Sequence, residues 1–422
     1  METNDTFLST ILYDNLPIYI FISFIFIIIS IFLYIKLAFP FWNTQPVYHI
    51  YDFWRCLYSH PFYIYPTFHP SVRTRFCKPD IVDIIPFCDA TDNDKQAFVN
   101  MIQCYSIADE NTMCMFNLEN LDTYFEGHLY GSYLSFYKDI FYNINDKNGN
   151  KDIVKSATPR GCISSRSGTF DVMGNLQNIY YIDFMTVVRD GDWLKLQREM
   201  FDTHIYKIGF IGWKKVYDST IHCWLFKRIS ILLIGIVPLI RFQIQEYKIP
   251  NNHNFFKHNY SDHVVLTEIN QQNIQKLING LELTREKFEI FSITDISNLQ
   301  GLIKKGVIYI YILERLGEVI AMYFFRDTRT RIEEYQNDGS VLELIGSVSI
   351  NCSIQLFRNG FLGSIHTITT KYNLYKRLRT DNLTHNKLLD WTEWSSLSNT
   401  IGAYYTYNII VPCTYNSIFI LF

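Results

Sequence analysis

Pro40-Phe41-Trp42-Asn43-Thr44-Gln45-Pro46-Val47 stands where an apolar N-terminal run gives way to the body of a 422-residue chain. Two adjacent rings offer large apolar area, Thr44 and Gln45 offer hydrogen-bonding groups, and the flanking prolines restrict the backbone. Such a segment can lie along an apolar ligand that carries a polar head. It can equally form an aromatic belt at a membrane surface, where Trp and Tyr concentrate. On these residues alone both readings stand.

Immediately upstream, Leu16 to Ile35 is dense in Ile and Phe and carries no charged residue. A run of about 20 apolar residues matches the hydrocarbon thickness of a bilayer. The acidic leader, residues 1–15, holds Glu2, Asp5 and Asp14 but no Lys or Arg, unlike a secretory signal. Lys36 follows the span, and positive charge on that flank predicts a single-pass membrane anchor over 16–36 with the body on the cytosolic side.

Bulk composition narrows the classes. Hydrophobic residues at 48% with 19% charge are enough to build cores, which excludes a disordered chain. A net charge of -3 leaves no electrostatic footprint for nucleic acid. The nine cysteines are scattered without a C-x-x-C, so neither a zinc knuckle nor a disulfide framework is expected. His253, His258 and His263 share a five-residue spacing that does not put them on one helix face, and read as loop residues rather than metal ligands.

Downstream, the chain alternates helical and strand patterns, with a length that suits two domains. Asp94 to Tyr105 and Trp193 to Tyr206 read as helices. Gly161–Arg166 and Ile179–Val188 read as strands joined through a Gly168/Gly174 turn region. Ile229 to Ile240 is apolar but too short to span a bilayer, and its Gly235 and Pro238 suggest a buried strand. After a polar linker at 251–262, helices are expected near Glu268–Leu283, Thr294–Lys304 and Leu362–Leu378, with Asn386–Leu397 following. Strands are expected over Val307–Glu314, Glu318–Phe325, Val341–Ser353 and Ala403–Val411. Both halves run helices, antiparallel strands, then helix.

Hydrolase, nucleotide-triphosphatase, zinc-protease and dinucleotide signatures (G-x-S-x-G, G-x-x-x-x-G-K, H-E-x-x-H, G-x-G-x-x-G) do not occur. Three separated stretches do form a pattern. Phe41-Trp42-Asn43-Thr44-Gln45-Pro46-Val47 resembles the F-W-x-T-Q-P-V signature of glycylpeptide N-myristoyltransferases. Ile182-Asp183-Phe184-Met185-Thr186-Val187 resembles that family's E/D-F-L-C-V strand end, and Tyr404-Tyr405-Thr406-Tyr407-Asn408 its Y-Y-x-Y-N segment. Their order and spread match from about residue 40 to 422. Gly161–Arg166, Thr203-His204, Leu225-Phe226-Lys227-Arg228 and Gly235–Leu239 are similar to divergent members from large DNA viruses.

The resemblance implies an α/β (α+β) fold of two fused GNAT-like halves, with mixed, mostly antiparallel sheets and flanking helices. Residues 40–250 would bind acyl-CoA and 263–422 the peptide. It implies myristoyl transfer from myristoyl-CoA, as co-substrate and without a metal, to the N-terminal glycine of a peptide or protein. The main-chain amides of Phe184 and Met185 would face the thioester oxygen. Phe41, Trp42 and Gln45 would lie along the acyl-CoA, and Thr186 and Val187 beside its pantetheine. The terminal carboxylate at Phe422 would deprotonate the amine, whose free pKa is about 8. An apolar tail, Ile418 to Phe422, suits a buried terminus, and burial would make that carboxylate more basic.

One run departs from the family's basic, small-residue turn for CoA phosphates. Arg189-Asp190-Gly191-Asp192-Trp193-Leu194-Lys195 places two acids and a bulky ring there, with Arg189 and Lys195 as the offsetting cations. That departure keeps a second reading open: a catalytically inactive chain of the same fold, serving as a membrane scaffold or viral structural protein.

Overall fold

A computed structural model describes residues 15–422 except 53, 55–56, 58–60, 66–72, 107–111, 148–149, 216–220, 222, 231, 251–262, 334–338, 384–393 and 412–416. It opens with α1 (Leu16–Ala38), a 23-residue helix that is apolar on all faces. Its side chains are nearly all exposed; Ile35, in the last full turn, is the buried exception. A helix apolar on every face has no polar side to give to water, and this one is long enough to cross a bilayer.

The body is a mixed α/β fold. In chain order its strands are β1 (Phe62–Tyr63), β2 (Val82–Pro86), β3 (Thr112–Cys114), β4 (Ser132–Lys147), β5 (Asn150–Val172), β6 (Asn175–Val187), β7 (Trp224–Ile229) and β8 (Ile240–Lys248). There follow β9 (Val264–Glu268), β10 (Ile290–Thr294), β11 (Ile308–Arg315), β12 (Glu318–Ile332), β13 (Gly339–Ser349), β14 (Tyr375–Asp381), β15 (Ser396–Tyr407), β16 (Ile409–Ile410) and β17 (Ile418–Leu421). The helices after α1 are α2 (Asp92–Tyr105), α3 (Leu118–Phe125), α4 (Trp193–Lys215), α5 (Ile274–Arg285), α6 (Ile296–Lys304) and α7 (Ile354–Tyr372).

Among the described residues, one long sheet runs β17-β10-β5-β6-β7-β15-β8-β14-β13-β12-β11-β9, with β4 and β2 branching from β5 and β3 beside β12. Strands from early and late in the chain are interleaved: β15 lies between β7 and β8, and β10 against β5. Most pairings are antiparallel, but β6–β7, β10–β17 and β13–β14 are parallel. Parallel pairing of β6 with β7 is confined to Tyr180–Ile182 against Trp224–Phe226. Beyond it β6 continues to Val187 on β5 and β7 to Ile229 on β15 without pairing to each other, so the sheet opens between them.

Four local expectations are corrected. Gly168 is not in the turn but inside β5, opposite Thr294; the turn to β6 is Met173-Gly174, both at positive φ. The run from Ile229 to Ile240 is no buried strand: only its ends are in strands. Gly235 at φ +88 bends it, and among its described residues between the strand ends only Ile236 forms a bridge, to His49. α7 stops at Tyr372, where Asn373 takes a left-handed C-terminal conformation at φ 44, and 375–378 become strand instead of helix. Ser396 and Leu397 open β15, while 386–393, like His253 and His258, lie outside the described residues.

Two sequence motifs more than 360 residues apart meet in the core. Tyr407 Oη donates to Gln45 Oε1 at 2.7 Å, and Asn408 N to the Pro46 carbonyl at 2.7 Å. Both Gln45 and Tyr407 are buried. A buried amide oxygen that loses its donor keeps its desolvation cost. Tyr407→Phe is therefore expected to lower unfolding free energy by about 1–3 kcal/mol, read from thermal or denaturant unfolding in detergent.

Candidate active site

The site begins where β6 loses its neighbour. Its ladder to β5 shifts register between Cys162 and Ser164, so Phe184 and Met185 form a bulge. Phe184 sits at φ +48, a sparsely populated region for a bulky residue. Its ring is held by Phe98, Phe116, Tyr124 and Phe125, at centroid distances of 5.1–6.4 Å. Its N–H donates to Asp183 Oδ1 at 2.9 Å, while Asp183 Oδ2 accepts from the fully buried Arg166 at 3.3 Å.

Two cavities meet at this bulge. A polar cleft of about 500 Å³ is lined by residues 181–185 of β6, 226–229 of β7, and Arg189, Arg326, Glu343 and Arg379. An apolar cavity of about 270 Å³ is lined by Phe39, Phe41, Trp42, Leu194 and residues 232–234. Met185, Gln197, Phe201, Phe226 and Arg228 belong to both walls, so the two spaces adjoin. Trp42 stacks parallel to Phe226 at 6.2 Å and meets Phe201 edge-on at 5.7 Å.

The far wall of the cleft is charged. Arg326 donates through Nε and Nη2 to Glu343 Oε2, at 3.1 and 2.6 Å, and Lys227 lies 3.9 Å from Oε1. Burial opposes the Glu343 anion, yet Arg326, Lys227 and Arg379 outweigh it and hold the carboxyl at about 2. Arg326 Nη1 also donates to the Phe422 main-chain oxygen at 3.1 Å. The Phe422 ring stacks on Tyr181 at 4.6 Å, one layer behind the cleft wall. The oxygen expected in apolar surroundings thus has a cationic partner. Burial lowers the pKa of Arg228, at the junction of the cavities, and its Nη2 donates to Gln197 Oε1 at 3.5 Å.

Not every residue anticipated from sequence comes to these cavities. Phe41, Trp42, Phe184, Met185 and Arg189 line them. Gln45 is turned into the core against Tyr407, and Thr186 and Val187 are buried in the β5 ladder. Lys195 is exposed in the first turn of α4, away from both linings. Asp190 is ion-paired with Arg160, which also holds Asp139 at 3.0 Å, so one of the two acids of that turn is neutralised. Arg326 and Glu343 carried no sequence signal, because β12 and β13 reach the cleft only through sheet pairing.

No protein-family model matches the chain, and no curated protein matches it by sequence. Solved structures do match by fold. A crystal structure of Saccharomyces cerevisiae N-myristoyltransferase with bound myristoyl-CoA superposes with a TM-score of 0.63 at 12% identity, over 88% of this chain and 93% of that one. A second, with myristoyl-CoA and inhibitors, gives 0.63 at 13% identity over 88% and 90%. The chain therefore has an N-myristoyltransferase-like, GNAT-type fold, preceded by one apolar helix long enough to span a membrane.

Proposed function

We propose that the chain is a membrane-anchored acyltransferase that takes a long acyl group, myristoyl in the first instance, from acyl-CoA to an N-terminal glycine amine. One observation carries the reading: an apolar cavity walled by Trp42 and Phe226 adjoins a polar cleft at Met185, beside the strained Phe184 bulge. The groups present suit the ligand. The apolar cavity suits the chain, and Arg189, Lys227 and Arg228 supply positive charge along the cleft for phosphates or a thioester oxygen. Residues 40–250 would form the acyl-CoA half and 263–422 the peptide half. The body would face the cytosol from a virion or host membrane, and the sequence stretches cited above support a place among divergent large-DNA-virus members.

In this reading the Phe184 and Met185 amides orient the thioester carbonyl as its oxygen gains charge. The carboxylate at Phe422, positioned by Arg326, removes the amine proton. The amine nitrogen then bonds the carbonyl carbon as the C–S bond breaks; the sulfur leaves with the electron pair and takes the second amine proton, giving a neutral amide and the free CoA thiol. The test is calorimetric binding of myristoyl-CoA to the full chain in detergent, followed by transfer to a Gly-initiated peptide. Micromolar binding with transfer is expected. Absence of binding at high micromolar ligand would sink the reading.

A specific observation favours the second reading, a non-catalytic scaffold that keeps the pocket. Asp183 occupies the Phe184 N–H that a thioester oxygen would need. Binding without transfer would select it.

A further inference from the structure

We propose that the apolar cavity is filled sideways from the bilayer, its occupant a single long acyl chain already dissolved in the leaflet. The proposal rests on the reading of α1 as a membrane span and of the cavity as the acyl site. It adds where the chain comes from.

The membrane helix and the cavity share a wall. Phe39, which ends α1, lines the cavity together with Leu232, Leu233 and Ile234. A Cβ on Gly235 would lie 3.2 Å from Ile35 and 3.8 Å from Phe39, so this loop packs on the last turn of α1 without a spacer. The loop is pinned to the segment after α1 as well: Ile50 N donates to the Gly235 carbonyl at 3.0 Å, and Val237 N to Tyr48 at 2.6 Å. Tyr51 meets Phe32 of α1 edge-on at 4.8 Å, one turn before Ile35 on the same helix face, which fixes the segment against the helix.

Around this junction the surface is apolar. Leu37 is 80% exposed, Ile50 62% and Ile234 63%. In water so many large apolar side chains in one neighbourhood are unfavourable; at a headgroup boundary they are the expected anchors. A helix end and collar seated there bring the Ile234 side of the cavity into lipid. An acyl chain in the leaflet could then pass into the cavity with its apolar surface never exposed to water. Cleft cations, Arg228 first, stand at the inner end to receive an anionic head.

The test uses the full chain in phosphatidylcholine vesicles that contain a diazirine-bearing fatty acid, with cross-links mapped by peptide mass spectrometry. Labelling of α1 is the internal standard. Cross-links at Trp42, Leu233 and Phe226, reduced about fivefold or more by Ile234→Asp relative to α1, are expected. Labelling confined to α1 and the collar overturns the proposal, as does cavity labelling that Ile234→Asp leaves unchanged. Leu37→Asp gives a second reading of the same entrance if the first variant misfolds. Cross-linking needs no catalysis, so capture without transfer would sink the transferase reading alone. Transfer without capture from the bilayer would sink this one alone.

Discussion

Glu343→Gln is expected to destabilise the folded body by about 3–5 kcal/mol, the usual consequence of leaving a buried charge unpaired. Glu343 is 7% exposed and takes two hydrogen bonds from Arg326, itself held between β12 and the Phe422 oxygen. Glutamine keeps the volume but removes the anion shared by Arg326 and Lys227, while Arg379 keeps its own pair with Glu246 at 2.6 Å. A few kcal/mol is a large share of the typical 5–15 kcal/mol stability of a folded protein. Thermal unfolding in detergent should therefore shift sharply downward; a shift worth under about 1 kcal/mol would show that the network is replaceable.

The same carboxylate sets an acid limit. Its folded value, about 2, lies below its ordinary 4.5, so the folded state binds fewer protons than the unfolded chain between these pH values. The stabilisation from it is complete above about 4.5 and is lost as pH falls through about 2. His204 acts in the same direction over a higher window. Burial lowers it from 6.5 to about 3, so its stabilisation is complete above 6.5 and erodes as pH falls towards 3. Stability should therefore begin to decline near pH 6, and Glu343→Gln should flatten the lower limb of that decline.

Deleting Phe422 is expected to lower acyl transfer by about 10²–10⁴-fold, the range for losing a general base. Myristoyl-CoA affinity should change far less. The deletion moves the carboxylate to Leu421 of β17, which is paired with Ile293 of β10 and lacks the Arg326 contact seen at Phe422. It also removes the ring that stacks on Tyr181. Phe422→Leu separates the two effects, because it keeps the main-chain oxygens and loses only the stack. Transfer retained in Phe422→Leu and lost in the deletion supports the base; transfer that survives the deletion excludes it.

Much of this protein is local and therefore legible from residue order. The apolar span ends at Lys36 because hydrophobic length is a property of one segment, and α1 covers it. The helical pattern placed α2 and α4 within a few residues of their ends, except for the C-terminal extension of α4 to Lys215. The F-W-x-T-Q-P-V, D-F-M and Y-Y-T-Y-N stretches pointed to the fold that superposition supports, since each lies where backbone geometry is tightly constrained. Local reading failed where a single residue redirects the chain, at Asn373 and Gly235.

What only the tertiary structure decided is which groups face one another. Gln45 reads as a ligand-facing amide beside Trp42, yet it is spent on Tyr407 because β15 passes directly beneath it. Arg326 and Glu343 are unremarkable in sequence and become the charged wall of the cleft because β12 and β13 pair across it. Asp190, an obstacle to anion binding when read alone, is neutralised by Arg160. The sequence by itself determined the apolar span and the aromatic wall, both properties of single segments, and pointed to the fold class through three separated motifs. The cleft depends on where β6 and β7 part, a distance between strands that no segment encodes alone.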